Sequence, residues 1–574
     1  MAAEPSAAPT LDERAPLLLS SSATISVTSD SSYDASDEGA SVGPRDEEAS
    51  VGRDGLAPTP RAAVVRIVAI LLLGTFTSNA DGSLVLATHP TIASEFNDLE
   101  DSSWLFTAFA LAGASTQAIY GKLSDIYGRR ALLAVAYSLF ALGCFIVGIG
   151  GSMWEVVLGR VISGSGGSAM NVVAALVITD LVPLRDVAAW QATINLAATI
   201  GRSLGGPVGG WLADTIGWRW SFLGQAPIFM FALLLCMAYL PSTTKRTVPS
   251  ASAADQPTAK ISAPSKGSLS RIDWLGALLL ALTILAFLAP IELGGSKIPW
   301  SHPLVPGLLA SSAVLAGLFA LAEARPGADP IFPLALLRQR DVVLSYAIIL
   351  LQTAAQLGLM FAVPLYFQVT QRASNTVAGA HLFPAVAGNA AGGILAGLLI
   401  RRTGRYKRLT VLATLCSSAA YVLLVLRWHG HTNLWESLYI VPGGFGQGVA
   451  ISAVFVSVQA AVDPRHKAAA IAGLYLCTTV GMIVGLATVS AVVMGTMKAA
   501  LDARLAALGL TDAARRHVVA EAASSVGFIE RARGRVGEAV VASYIEGLSW
   551  SHGVSLVCSL LALLGALFLG EHKL

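Results

Sequence analysis

This chain is poor in charge: only 13% of its 574 residues are Asp, Glu, Lys or Arg, while 54% are hydrophobic and the mean hydropathy is +0.65. A soluble domain keeps its surface wet with about 25% charged residues, so the composition excludes a water-soluble globule. Cysteine is sparse as well. Cys144, Cys236, Cys416, Cys477 and Cys558 all lie in apolar runs without metal-ligand spacing, and read as small packing residues. No N-x-Ser/Thr sequon marks a glycosylated loop. No Gly-rich loop with a Lys cradles phosphates, so ATP does not drive the protein directly. Without a nucleophile elbow, paired carboxylates or a metal-ligand helix, an enzyme has nothing to work with, and no cofactor is expected. The start lacks a basic segment ahead of an apolar one, so no signal peptide is expected. The net charge of +2 says nothing about nucleic acid, which is not expected as a partner; what matters is where the charges sit.

What is present is a series of apolar runs of about 20 residues, the length that crosses a hydrocarbon core of about 30 Å. Fourteen can be marked, at 64–86, 103–121, 131–150, 153–179, 190–213, 220–241, 272–292, 304–322, 342–369, 376–400, 409–428, 434–461, 468–497 and 549–570. The pattern predicts an all-α polytopic membrane protein whose partner is lipid. Residues 1–60, rich in Ser, Asp, Glu and Pro, read as a disordered tail. Residues 498–548 mix charges with Ala, Val and Leu and read as amphipathic helices outside the bilayer. Lys and Arg gather in the even-numbered connections, which puts those connections and both termini in the cytosol. The 498–548 loop breaks that rule; the other loops outweigh it.

The second connection reads GKLSDIYGRR, Gly121 to Arg130. Gly121 and Gly128 allow a tight turn, and Asp125 faces the Arg129/Arg130 pair, so an ion pair there can hold one conformation shut. An ordinary basic loop is the bland alternative, but the pattern is too particular for it. The signature resembles the loop motif of the major facilitator superfamily, and GLLIRRTGRYKR (Gly397 to Arg408) resembles its degenerate second copy, with Arg402 in the Asp place. LGRVISGSGG around Arg160 resembles the superfamily's intramembrane Arg motif. GRSLGGPVGGWLAD resembles its antiporter motif, with Gly206 in the proline place and Pro207 one position late. Gly201, Gly205 and Gly209, followed by Gly210, offer a smooth helix face for close packing.

The resemblance implies two pseudo-symmetric six-helix bundles, at 61–241 and 342–574, with two additional central helices within 242–341. That is the fourteen-helix drug:proton antiporter branch. ADGSLVLATHPTIASEF (Ala80 to Phe96) resembles the branch's first-helix pattern, and together with SSWLFTAFALAGAS it is similar, more narrowly, to fungal vacuolar basic amino-acid transporters. The family implies a monomer driven by a proton gradient, with basic amino acids or, alternatively, drugs at the plasma membrane as cargo. A transporter-like nutrient receptor would bring a large folded cytosolic domain, which this tail is not.

Charges inside the bilayer cost at least about 2.5–3.5 kcal/mol each, so each needs a partner or a task. Asp81 and Arg160 fall at similar depth. A structural ion pair is the bland reading; a proton or substrate site at Asp81 is the functional one. On the fifth span Asn195, Thr199 and Arg202 recur at helical spacing near mid-membrane, and a guanidinium there suits a substrate carboxylate. Gln352 and Gln356, four apart, are lesser cavity candidates. His89, Glu292 and His381 lie near the outer ends, where a solvated mouth accounts for them.

ERAPLL in the tail, with Glu13 ahead of Leu17 and Leu18, fits the acidic dileucine pattern read by sorting adaptors. A fluorescent fusion should label the vacuolar rim, and Leu17→Ala with Leu18→Ala should divert it to the plasma membrane. An intact protein already at the plasma membrane would favour the drug-exporter alternative.

Overall fold

The computed structural model describes residues 61–96, 104–240, 273–294, 298–324, 330–373, 375–524, 528 and 532–574. Glu13, Leu17 and Leu18 lie outside them. A backbone amide in hydrocarbon has no water to bond, so a segment that crosses alone must satisfy its own ladder as a helix. The described residues follow that rule. The first group comprises α1 (Arg61–Glu95), α2 (Trp104–Tyr127), α3 (Arg129–Ile149), α4 (Met153–Leu181), α5 (Leu184–Thr215), α6 (Trp218–Leu223) and α7 (Gln225–Tyr239). Two helices stand between the groups, α8 (Trp274–Leu293) and α9 (Leu304–Glu323). The second group comprises α10 (Arg340–Gln371), α11 (Asn375–Ala380), α12 (Phe383–Thr403), α13 (Lys407–Arg427), α14 (Leu434–Ser437), α15 (Val441–Ala461), α16 (Lys467–Ala507), α17 (Asp512–Ser524) and α18 (Gly534–Phe568).

Among the described residues, 12 helical stretches are long and apolar enough to cross a membrane, α6 and α7 together making one of them. Helices α2 and α5 are as long but carry Lys122 and Asp125, and Arg185, Asp186, Arg202 and Asp214, which lower their hydropathy. Counting them as crossings makes fourteen. The region 498–548 departs from the sequence pattern. Helix α16 runs unbroken for 41 residues to Ala507, because Ala, Leu, Arg and Lys continue past 497 with no breaker before Gly509. Its end packs Leu501 and Leu505 against Ala522, Val540 and Tyr544, so the amphipathic stretch covers its own apolar face.

Within the first bundle α1 lies along α5, while α4 packs on both α2 and α3; in the second, α12 lies along α15 and α10 packs on α16 and α18. Helices α8 and α9 pair with each other, and α8 reaches both α2 and α16. The α1–α5 contact is close because of glycine. A Cβ at Gly201 or Gly205 would collide with the Phe76 or Ala80 carbonyl oxygen, and one at Gly209 would lie 2.6 Å from Leu84 Cγ. Gly128, at φ 88°, permits the sharp turn between α2 and α3.

The apolar core decides where the bundles meet. One cluster joins residues of both bundles at the end bearing the Arg-rich connections: Ile178 and Val187 of the first, Ile400 and Ala468 of the second. At the opposite end the core splits. Leu84, Val147 and Trp218 cluster in the first bundle, and Leu359, Tyr421 and Trp428 in the second. Polar contacts across the divide also gather toward the basic end. Arg401 Nε pairs with Asp186 at 2.8 Å, and Gln191 Nε2 donates to Tyr475 OH at 2.8 Å. Deeper, Thr479 Oγ1 donates to Gln117 Oε1 at 3.0 Å, and Asn195 Nδ2 to Asn389 Oδ1 at 2.8 Å. The protein is sealed at the basic end and parted at the other.

A Cβ placed on Gly393 lies 3.5 Å from that of Ala192 across this seal, within the span of a disulfide. The double variant Ala192→Cys/Gly393→Cys should therefore crosslink under mild oxidant and stop transport, with activity returning on reduction. Unimpeded transport by fully crosslinked protein would show that this seal does not have to open.

Candidate functional site

The first component of the candidate site is the pair at Asp81, inside the first bundle. Arg160 Nη1 sits 2.6 Å from Asp81 Oδ2, with both side chains essentially inaccessible. Arg160 Nε donates to the Leu105 carbonyl at 2.8 Å, and the guanidinium lies 4.3 Å from the Phe109 ring centroid. Gln225 Nε2 donates to Asp81 Oδ1 at 3.2 Å, a partner on α7 that no spacing in the sequence points to. Asp81 is thus enclosed in the first bundle, where the bland reading placed it. A proton reaching it has to break or bypass the pair.

Arg202 is placed differently, and the helical wheel of α5 shows how. Gly201, Gly205 and Gly209 form the face against α1. Ile200, Leu204, Val208 and Trp211, 40–65% exposed and wholly apolar, form the face toward lipid. Asn195, Thr199, Arg202 and Gly206 occupy the remaining face, which points across to the second bundle, since Asn195 bonds Asn389 on α12. Thr199 Oγ1 closes on the Asn195 carbonyl at 2.8 Å. Arg202 is exposed and makes no hydrogen bond or ion pair with any described residue. It lies seven residues beyond Asn195, about 10 Å at 1.5 Å per residue, on the parted side of the Asn195–Asn389 bridge. A free guanidinium therefore stands above a closed floor.

Beneath that floor the loop motif ties the first bundle together. Arg129 Nη1 meets Asp125 Oδ1 at 2.8 Å and its Nε meets Asp180 Oδ2 at 2.9 Å; Arg130 donates to the Met237 carbonyl. These contacts link α2, α3, α4 and α7 within one bundle. Gly121 of the motif faces the second, where a Cβ would lie 2.8 Å from that of Ala472. Among the described residues, ion pairing across the bundles falls to Asp186, outside the motif, and Arg401, within its degenerate second copy.

Gln352 and Gln356 are buried on α10, and Gln352 Nε2 donates to Ser417 Oγ on α13. At the parted end Glu292 accepts from Thr107 Oγ1 at 3.2 Å, and His381 stacks on Phe367 with ring centroids 3.6 Å apart. There too Glu95 accepts Trp218 Nε1–H at 2.6 Å and pairs with Arg219. Those bonds hold its carboxyl below the ordinary range. A carboxylate with a depressed pKa keeps its stabilising contacts above its usual pKa and loses them only as pH falls through the lowered one. This tie between α1 and α6 consequently survives mildly acidic surroundings. A separate cavity of about 370 Å³ lies between α8 and α16, lined by Ile291, Trp300, Val484, Ala487 and Thr488 among others. Its apolar walls offer a charged cargo no grip. No group of three or more His, Cys, Asp or Glu suited to a metal occurs among the described residues.

Comparison with known proteins agrees with this architecture. The Major Facilitator Superfamily matches residues 71–486. The vacuolar membrane amino acid uptake transporter fnx2 of Schizosaccharomyces pombe is 32% identical over 439 residues, covering 75% of this chain and 72% of that protein. Multidrug resistance protein fnx1 of the same organism is 27% identical over 488 residues, 84% of this chain and 88% of the relative. The human organic anion transporter MFSD10 shares the fold, with a TM-score of 0.55 at 14% identity, over 88% of this chain and 100% of that one.

The buried pair makes a stability prediction. Removing one partner leaves the other charge uncompensated, at about 3–5 kcal/mol. Asp81→Asn and Arg160→Met should each lower the thermal unfolding midpoint in detergent strongly, and the double variant should lose much less than their sum. Strictly additive losses would mean that the two side chains do not stabilise one another.

Proposed function

We propose that this chain, which belongs to the Major Facilitator Superfamily, moves amino acids, basic ones foremost, across the vacuolar membrane in exchange for protons. The observation that carries the reading is Arg202: an unpaired guanidinium at mid-depth, on the one polar face of α5, between bundles that close only at one end. A cation at that depth without a partner is costly. An α-carboxylate entering the cavity supplies the partner through paired N–H···O bonds, which the planar fork is shaped to make.

On this reading the basic end is cytosolic, and the structure has the lumen-open arrangement of an alternating-access carrier, in which two bundles rock about a midplane site. Asp81 is the proton site. Its protonation from the acidic lumen releases Arg160 and loosens the contact of α1 with α4, so proton entry and bundle movement are coupled. Asn195 and Thr199 form the floor beneath the carboxylate. The relative fnx2, by the function in its name, supports amino-acid cargo and the vacuole. The relative fnx1 supports a second reading, export of drugs. A lipophilic cation, however, brings no carboxylate and meets Arg202 with like charge.

Substrate-induced thermal stabilisation separates the two. L-arginine should stabilise the purified wild type, Arg202→Ala should abolish the effect, and Arg202→Lys should restore part of it, because a point charge does not reproduce the fork. A cationic dye should bind as well or better once the charge is gone. Equal stabilisation of all three proteins by arginine would make Arg202 structural and remove the main support for amino-acid cargo.

A further inference from the structure

Arg202 accounts for a carboxylate and leaves the rest of the cargo unexplained. A basic side chain would ordinarily be met by a carboxylate. Among the described residues, however, the one carboxylate well inside a span, Asp81, is taken up by Arg160. The second bundle offers something else at that depth. Gln352, Gln356 and Gln447 are 1%, 6% and 5% exposed, and the amide oxygen of each is buried without a hydrogen-bond donor.

The three belong to one place. Gln352 and Gln356 are one helical turn apart on α10 and share a face. Gln447 reaches over from α15, its Nε2 donating to Thr353 Oγ1 at 3.3 Å. The Gln352 amide nitrogen is held by Ser417 Oγ, which in turn donates to the Gly443 carbonyl at 3.4 Å. For Gln352 and Gln447 the nitrogen is therefore committed and the oxygen is not. Each lone buried acceptor bears the cost of hydration that no donor has replaced. Gln356 borders the half-buried Leu357, Met360 and Phe361, at the edge of the side of α10 that is less covered. Depth agrees as well. Arg202 is 18 residues into α5 and Gln356 is 16 residues into α10, counting each from the basic end. At 1.5 Å per residue that is about 27 and about 24 Å, in bundles facing one another.

Resting on the amino-acid reading above, we propose that Gln356 and Gln447, backed by Gln352, form the side-chain subsite, where neutral amide oxygens accept hydrogen bonds from the nitrogen head of the cargo. The class defined in this way is amino acids with terminal N–H donors: arginine and lysine, and equally the uncharged glutamine. Neutral acceptors have a mechanical advantage over a carboxylate. A carboxylate would pair with Arg202 across the empty cavity and lock the bundles together, whereas amide oxygens leave Arg202 free for the next cargo.

The test measures stabilisation of the purified full chain by L-arginine, L-glutamine and L-leucine, which share one α-carboxylate and differ at the far end. Wild type should bind arginine and glutamine about ten-fold or more tightly than leucine. Gln356→Met and Gln447→Met, which keep the volume, should each weaken arginine and glutamine about ten- to a hundred-fold while leaving leucine unchanged. Gln356→Glu should shift the preference from glutamine toward arginine. The proposal is overturned if wild type binds leucine as tightly as arginine, or if the methionine variants weaken all three cargoes alike, as a merely structural role would. Failure of the underlying reading looks different: no amino acid would stabilise wild type, or Arg202→Ala would bind arginine undiminished.

Discussion

Three charges stand well inside the apolar spans of the described helices, Asp81, Arg160 and Arg202, and they do not cancel. The bilayer tolerates a charge at depth when it is paired or when it faces a wet cavity. Arg160 takes the first course, whereas Arg202 is exposed and has no partner among the described residues; on the proposed reading it takes the second. The pair is walled in by Leu105, Phe109 and Gln225 inside one bundle. The unpaired arginine has to have space beside it, and the parting of the two bundles supplies that space.

How α5 presents Arg202 follows from glycine. Gly201, Gly205 and Gly209 bring the helix close against α1, and an apolar stripe of Ile200, Leu204, Val208 and Trp211 turns the opposite side to lipid. With two faces committed, the third is left for Asn195, Thr199 and Arg202. The packing motif and the candidate binding stripe are thus two consequences of one helix rotation. A side chain at Gly205 would force α1 and α5 apart, and with them the direction in which Arg202 points.

The seal at the basic end combines a continuous apolar core with graded polar contacts. The outermost, Asp186–Arg401, is partly exposed and worth little on its own, as surface pairs usually are. The buried apolar cluster joining Val187, Ile400 and Ala468 supplies the greater part of the adhesion. On the alternating-access reading, such a contact can open without stranding a charge in lipid.

The sequence by itself determined the class, the apolar spans, the family, the glycine stripe and the identity of the buried charges. Each of these is written in local composition or in spacing along one helix. The Asp81–Arg160 pair could be anticipated because both residues fall at one depth on helices that the family packs together. The limits of α16 could not, since hydropathy ends at 497 while helix propensity continues to Ala507. Asp180 as a partner of Arg129, Gln225 on Asp81, Asn389 opposite Asn195, and Gln447 beside Thr353 were decided only by tertiary structure. Each joins helices from 51 to 194 residues apart in the chain. Spacing along one helix carries no information about which side of another helix comes to meet it. That is settled when the side chains of both bundles pack at once.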